Sequence, residues 1–172
     1  MKIKTLIRKL IYKTRNEKLI DDIQKQKKYF FKLKNSKNII NTIILKLKLY
    51  KIHDKILYKY ACDITPEAQI GEVIFRHPLG IVIGGGAFIE DGVIIHQNVT
   101  FGALRFDSIE RRGIMCKQHI KKNTIICAGA KILGDVTIGE NCIVGANAVI
   151  TKNIPDGATV VGYNKIILKS EI

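Results

Sequence analysis

Two kinds of hydrophobic spacing divide this 172-residue chain near Tyr60. Before it, Ile3, Leu6, Ile7, Leu10 and Ile11 follow the i, i+3, i+4, i+7, i+8 spacing of one apolar helix face. A second run, Ile40, Ile43, Ile44 and Leu47 with Leu45, Leu49, Ile52 and Ile56, is broader. Its centre, Leu45-Lys46-Leu47-Lys48-Leu49, also alternates as a strand does, so helix and strand both stay open there. Asn35 to Asn38 forms a polar break between the two helical stretches, and no proline precedes Pro66.

Beyond Ile64 the period becomes six. Ile64 and Ile70 begin the series, and Ile83, Ile89, Ile95 and Phe101 continue it. A further register runs through Ile114, Ile120, Ile126, Ile132, Ile138, Val144 and Ile150. Four residues after most of these stands a small or β-branched residue, as at Ala87, Val93, Val99, Thr124, Ala130, Val136, Cys142 and Ala148. Such a hexapeptide repeat predicts a parallel β-helix, in which each aliphatic stacks on its equivalents one coil above and below. No hexad buries its apolar side alone, so the stack is the unit of stability. The period slips twice by one residue, across Phe75-Arg76-His77-Pro78-Leu79-Gly80 and between Phe101 and Ile114. A solenoid extrudes its irregular segments, which makes these two the places to look for chemistry.

Charge separates the same two parts. The chain has 29 Lys and Arg against 15 Asp and Glu, a net charge of +14. Residues 1–60 hold 18 basic and 4 acidic side chains, whereas residues 61–172 hold 11 of each. The expected organisation is a basic α-helical segment over 1–60, a β-helix over 61–165 and a C-terminal tail over 166–172. Cys62, Cys116, Cys127 and Cys142 show neither a C-x-x-C pair nor zinc-type spacing, and read as reduced thiols of a cytoplasmic protein. Lysine or arginine interrupts every apolar run of the N-terminus, unlike a signal peptide. No apolar stretch approaches the roughly 18–20 residues that span a bilayer.

The segments Asp63-Ile64-Thr65-Pro66, His77-Pro78-Leu79-Gly80-Ile81-Val82-Ile83-Gly84 and Gln97-Asn98-Val99-Thr100-Phe101-Gly102 resemble the serine O-acetyltransferase branch of the hexapeptide-repeat acyltransferases. Residues 128–139, 144–150 and 154–162 are similar to it as well. The resemblance implies a mainly β fold, a left-handed parallel β-helix with a short N-terminal α-helical segment. It also implies acetyl-CoA as co-substrate, no metal, and a homotrimer with active sites between subunits. By that resemblance His77 is the general base and Asp63 orients it. An alcohol attacks a thioester poorly unless its proton leaves as the bond forms, and an imidazole, titrating near neutrality, suits that transfer. The coenzyme positions it implies are Gly102, Ala103, Ala128, Gly129 and Ala146, with Lys131 or Lys152 toward the phosphates.

Departures from the pattern bear on the acceptor. Arg76 stands where the branch has aspartate, Gly85 where it has glutamate, and Cys116-Lys117-Gln118-His119-Ile120 where it has R-H-P-x-I. Residues 1–60 are also about half as long as its helical domain. These losses lead us to expect a sugar or surface-polysaccharide acceptor, of capsule or O-antigen type, with serine as the alternative. Arg76, His96, Arg105, Lys117 and His119 are the candidate acceptor contacts. A zinc site is a weaker alternative, since His77 and His96 are 19 residues apart but lack a third ligand at suitable spacing. The basic segment is expected first of all to be a helical cap over the open end of the β-helix. Peripheral contact with the anionic inner face of the cell membrane, or capture of a polyanionic glycan, also fits lysine-rich amphipathic helices. Nucleic acid is disfavoured, because only Tyr29-Phe30-Phe31 interleaves aromatic with basic residues.

Overall fold

Each hexad folds as a strand of two or three residues because its aliphatic points inward and its neighbour outward, the ordinary alternation of β-structure. A computed structural model describes residues 14–104, 117–162 and 165–167. Its first coil is β1 (Asp63–Ile64), β2 (Gln69–Ile70) and β3 (Ile74–Phe75), and its second is β4 (Val82–Ile83), β5 (Phe88–Ile89) and β6 (Ile94–Ile95). The third is β7 (Thr100–Gly102), β8 (Gln118–Ile120) and β9 (Ile125–Ile126), and the fourth is β10 (Lys131–Leu133), β11 (Val136–Ile138) and β12 (Ile143–Val144). The fifth comprises β13 (Val149–Ile150), a bridge from Ile154 to Ile138, and β14 (Thr159–Val161). The last strand, β15 (Lys165–Ile167), pairs antiparallel with β14, whereas all other pairings are parallel.

The strands stack into three faces. Face one, β1-β4-β7-β10-β13, sends Ile64, Ile83, Phe101, Ile132 and Ile150 inward, each with no exposed surface. Face two sends Ile89, Ile120, Ile138 and Ile154 inward, and face three sends Phe75, Ile95, Ile126, Val144 and Val160. Burying one such side chain stabilises by roughly 1.5–3 kcal/mol, so these columns dominate the fold. The one buried hydroxyl at a fifth position is satisfied: Thr124 Oγ1 donates to Gly139 O (2.7 Å) and accepts from Cys142 N (3.1 Å).

Both slips in the repeat now have places. Ile70 to Phe75 is five residues and Phe75 to Ile83 is eight. Arg76, the in-phase residue, would carry a charge into the core, so Phe75 takes the inward slot and the surplus enlarges the following corner. On face two Ile89 pairs with Ile120, 31 residues on instead of 18, so the connection between β7 and β8 is thirteen residues longer than in a regular coil. Phe101 is therefore followed inward by Ile120. Ile114, which continues the count, lies outside the described residues, as do Arg105 and Cys116.

The basic segment forms a helical hairpin of α1 (Arg15–Lys34) and α2 (Ile39–Tyr60). Thr14 and Glu17 make a reciprocal capping box that starts α1, and the Asn38 side chain caps α2. The ambiguous alternation at Leu45–Leu49 is helix, and the polar break falls between the two helices as expected. The helix predicted over Ile3–Ile11 lies outside the described residues. Leu19, Ile23, Ile56 and Tyr60 join the core of the first coil. Asp22, almost fully buried there, accepts from Lys55 Nζ (2.8 Å) and Tyr60 Oη (3.1 Å). Asn16 and Lys27 bond to the backbone of Phe75 and Ile70, which fixes the hairpin over the open end of the β-helix. Cys62, Cys127 and Cys142 are free thiols, and burial pushes each of them up, away from thiolate reactivity.

Candidate active site

The corner that leads from face three back to face one is where the chain gathers most of its motif residues. Arg76 and His77 occupy its first passage, His96 to Asn98 the next, Ala128 and Gly129 the third, and Ala146 the fourth. Backbone bonds hold these passages in register: Asn98 N to Leu79 O, Gly129 N to Gln97 O and Asn147 N to Ala128 O, each 2.9 Å. The bond from Arg76 N to Ile95 O (2.7 Å) continues the register of β3 with β6 and sets His96 one coil above Arg76, next to the His77 corner. Small residues are required here for a local reason. Gly129 has φ +75, and a Cβ on it would collide with Asn147 Oδ1.

His77 itself sits in the left-handed region, with φ 51. That conformation is uncommon for a residue other than Gly, and such positions gather at functional sites. The buried Pro78 and the bond from Gly80 N to Ala61 O (2.8 Å) pin the corner around it. The His77 imidazole is exposed and bonds to none of the described residues, so both ring nitrogens are open to a substrate. Arg76 beside it is exposed as well.

Asp63 projects from the outer side of face one, with no hydrogen bond to His77. Its carboxylate stands 3.9 Å from His53 Nε2, and His53 Nδ1 lies 3.1 Å from Gln26 Nε2. Neither Gln26, which is fully buried, nor His53 carries a sequence pattern that marks it; only the packing of the hairpin brings them to Asp63. Lys131, also on face one, is already committed: its Nζ donates to Asn98 O (2.8 Å) and Thr100 Oγ1 (3.2 Å). Lys152 is exposed.

The remaining predicted positions lie on the edge between faces one and two. Gly102 and Ala103 open the long insertion there and Lys117 closes it. The buried Gln118 clamps its root, with Nε2 donating to Gly102 O (2.9 Å) and Gly134 O (2.8 Å), while Lys117 N donates to Asp135 (2.6 Å). His119 projects from face two, where Nε2 meets Glu90 Oε1 at 2.6 Å and the ring lies 4.8 Å from that of Phe88. In a three-faced solenoid, face two is opposite the edge that bears His77. One chain therefore brings His77, Arg76 and His96 together but keeps Lys117 and His119 apart from them.

Two further polar side chains escaped the sequence reading. Glu90 is invisible as a partner of His119 because 29 residues separate them. Gln97 Oε1, on the corner that follows β6, is buried without a hydrogen-bond partner among the described residues. A groove of about 990 Å³, lined in part by Lys27, Phe30, Phe31, Phe88 and Glu90, runs between α1 and face two, away from His77. Among the described residues no three His, Cys, Asp or Glu side chains are grouped to hold a metal ion.

Comparison with known proteins adds to this geometry. Residues 119–152 match the family model for the bacterial transferase hexapeptide (six repeats). A serine acetyltransferase of Staphylococcus xylosus is 42% identical over 112 residues, covering 63% of this chain and 49% of that protein. One from Buchnera aphidicola subsp. Schizaphis graminum is 40% identical over 119 residues, 69% of this chain and 44% of that protein. A solved serine acetyltransferase in complex with cysteine matches with TM-score 0.74 and 30% identity, over 93% of this chain and 56% of that one. Another, in complex with CoA, gives 0.72 and 28%, over 93% and 59%. The repeat domain carries the bacterial transferase hexapeptide, and its similarity is to serine acetyltransferases. The chain spans about half the length of these relatives.

These relatives overturn the expectation of a sugar or polysaccharide acceptor. Each is a serine acetyltransferase, and none points to capsule or O-antigen chemistry. That expectation rested on Arg76, Gly85 and residues 116–120. They are side-chain changes on a backbone that keeps the branch's fold, and they do not set this hexapeptide-repeat domain apart from serine acetyltransferases.

Proposed function

We propose that the chain transfers the acetyl group of acetyl-CoA to the hydroxyl of L-serine, as a cytoplasmic homotrimer. The observation that carries this reading is His77, held at φ 51 on an enlarged corner with its imidazole unengaged. His77 takes the proton of the serine hydroxyl as the oxygen attacks the thioester carbonyl. The tetrahedral adduct then collapses, and the departing CoA sulfur receives that proton from the imidazolium. Arg76 supplies the cation for the serine carboxylate that position 116, a cysteine, does not.

Active sites between subunits account for the division of motif residues between two edges. A neighbour's insertion edge, with Gly102, Ala103 and Lys117, would face the His77 edge. Pantetheine would then run past Ala128, Gly129 and Ala146, where small residues admit it closely. On trimer formation the Asp63 carboxylate would turn from His53 to orient His77. The solved CoA complex among the structural relatives supports the coenzyme.

Steady-state assays of thiol release test the reading. His77→Ala should lower kcat about 10²–10⁴-fold with unchanged circular dichroism, and Arg76→Ala should raise KM for serine more than that for acetyl-CoA. Retained turnover in His77→Ala, or indifference to serine as acceptor, would defeat it.

A further inference from the structure

The helical hairpin reaches well beyond the β-helix it covers. Its buried apolar residues, Leu19, Ile23, Ile52, Ile56 and Tyr60, all lie toward the first coil. Toward the turn between α1 and α2 the apolar side chains stay uncovered: Phe31, Ile39, Ile40, Ile43, Ile44 and Leu47 are all exposed. Ile39 keeps 78% of its surface and Ile40 67%. Isolated exposed apolar residues are ordinary, but a contiguous set marks an interaction surface.

Charge identifies what meets it. Residues 23–53 contain nine lysines and not one Asp or Glu. Lys32, Lys37, Lys46 and Lys48 form no ion pair with a described residue. A groove of about 550 Å³ in the turn is lined by Lys32, Lys37 and Lys48 together with Asn35, Ser36 and Asn38. It offers ammonium and amide donors of the kind that hold a phosphate. A second copy of this turn would bring Lys32, Lys37, Lys46 and Lys48 against the same four, with no Asp or Glu in residues 23–53 to lie between them. A nucleic acid would satisfy the lysines but leave the isoleucines in water. An anionic bilayer satisfies both sets, since apolar side chains enter the headgroup–acyl boundary while lysines meet lipid phosphates.

We propose that the turn between α1 and α2 is a peripheral docking surface for an anionic bilayer, with Ile39, Ile40 and Ile43 entering the acyl boundary and Lys32, Lys37 and Lys48 binding lipid phosphates. Among the described residues no helix is long and apolar enough to cross a membrane, so this contact is made from one side. It does not depend on the reaction, and the His77→Ala variant should dock as the parent does.

The test is co-sedimentation of the full chain with phosphatidylglycerol–phosphatidylcholine vesicles and with phosphatidylcholine vesicles, at low and high salt. Soluble glycerophosphoglycerol serves as competitor. Binding to the anionic vesicles alone is expected, weakened by salt. Both Ile40→Ser/Ile43→Ser and Lys32→Glu/Lys37→Glu/Lys48→Glu should weaken it by about tenfold or more, with unchanged thermal melts. Poor competition by the soluble headgroup would show that the bilayer, and not free phosphate, is the ligand. Absent or variant-insensitive vesicle binding overturns the proposal. So does a change in oligomer size in the isoleucine variant, seen by sedimentation velocity, which would assign the surface to a second copy. Lysine-dependent, isoleucine-independent binding to a DNA duplex would equally overturn it.

Discussion

Ile132 and Ile39 are the same side chain in opposite surroundings. Inside the β-helix Ile132 has no exposed surface, with Phe101 below it and Ile150 above; at the hairpin turn Ile39 keeps 78% of its surface. The difference lies in what each region can supply. A coil brings an identical coil on either side, so an aliphatic every sixth residue finds partners within the chain. Two helices joined by a short turn have one shared face, and the isoleucines beyond it find nothing among the described residues to pack on. Charge follows the same division: the residues around the coils are balanced, whereas 23–53 are purely basic.

The sharpest way to break this contrast is to truncate both kinds of isoleucine. Ile132→Ala, in the middle of a column, should cost about 2–5 kcal/mol, read as a lower midpoint in urea unfolding. If the loss is below about 1 kcal/mol, the columns are not what holds the fold. A smaller effect is expected at the joint between the regions. Desolvation, with the hydrogen bond to Asp22, raises the Tyr60 phenol from 10.0 to about 12. The folded state thus favours the neutral phenol. Its contribution is whole below pH 10.0 and is lost as pH rises toward about 12. Tyr60→Phe should cost about 0.5–1.5 kcal/mol near neutrality and flatten that alkaline loss, measured by unfolding across the window. Smallest of all, Ile43→Ser at the turn should change stability by no more than about 0.5 kcal/mol. A larger loss would mean that the turn is packed and not free.

Much of the fold was legible because a hexad carries its own structural instruction: one inward aliphatic, one small corner residue. Register fails where that instruction is interrupted. Counting by six pointed to Arg76, yet Phe75 turned inward because a guanidinium cannot be buried unpaired. Counting by six also gave no sign that Ile89 pairs with Ile120, 31 residues on. Within the site, His77 was legible from its motif and its place in a slip. Its φ of 51, and its separation from Lys117 and His119, were not. Pairings such as Glu90 with His119 or His53 with Asp63 join residues that are remote in sequence, and only stacking or docking brings them together. The acceptor was misjudged for a related reason: absent side chains were counted as lost contacts, although a shared backbone can meet the same substrate with others.

By itself the sequence determined the β-helix, the helical break at Asn35–Asn38 and the charge division, and it marked the His77 corner as a place to look for chemistry. These are local or periodic properties, written wherever side-chain size and polarity repeat. Only the tertiary structure decided which edge each motif residue occupies, what faces Asp63, and which hydrophobic residues find no cover. Those depend on how coils stack and where the hairpin ends, and no run of neighbouring residues encodes such distances.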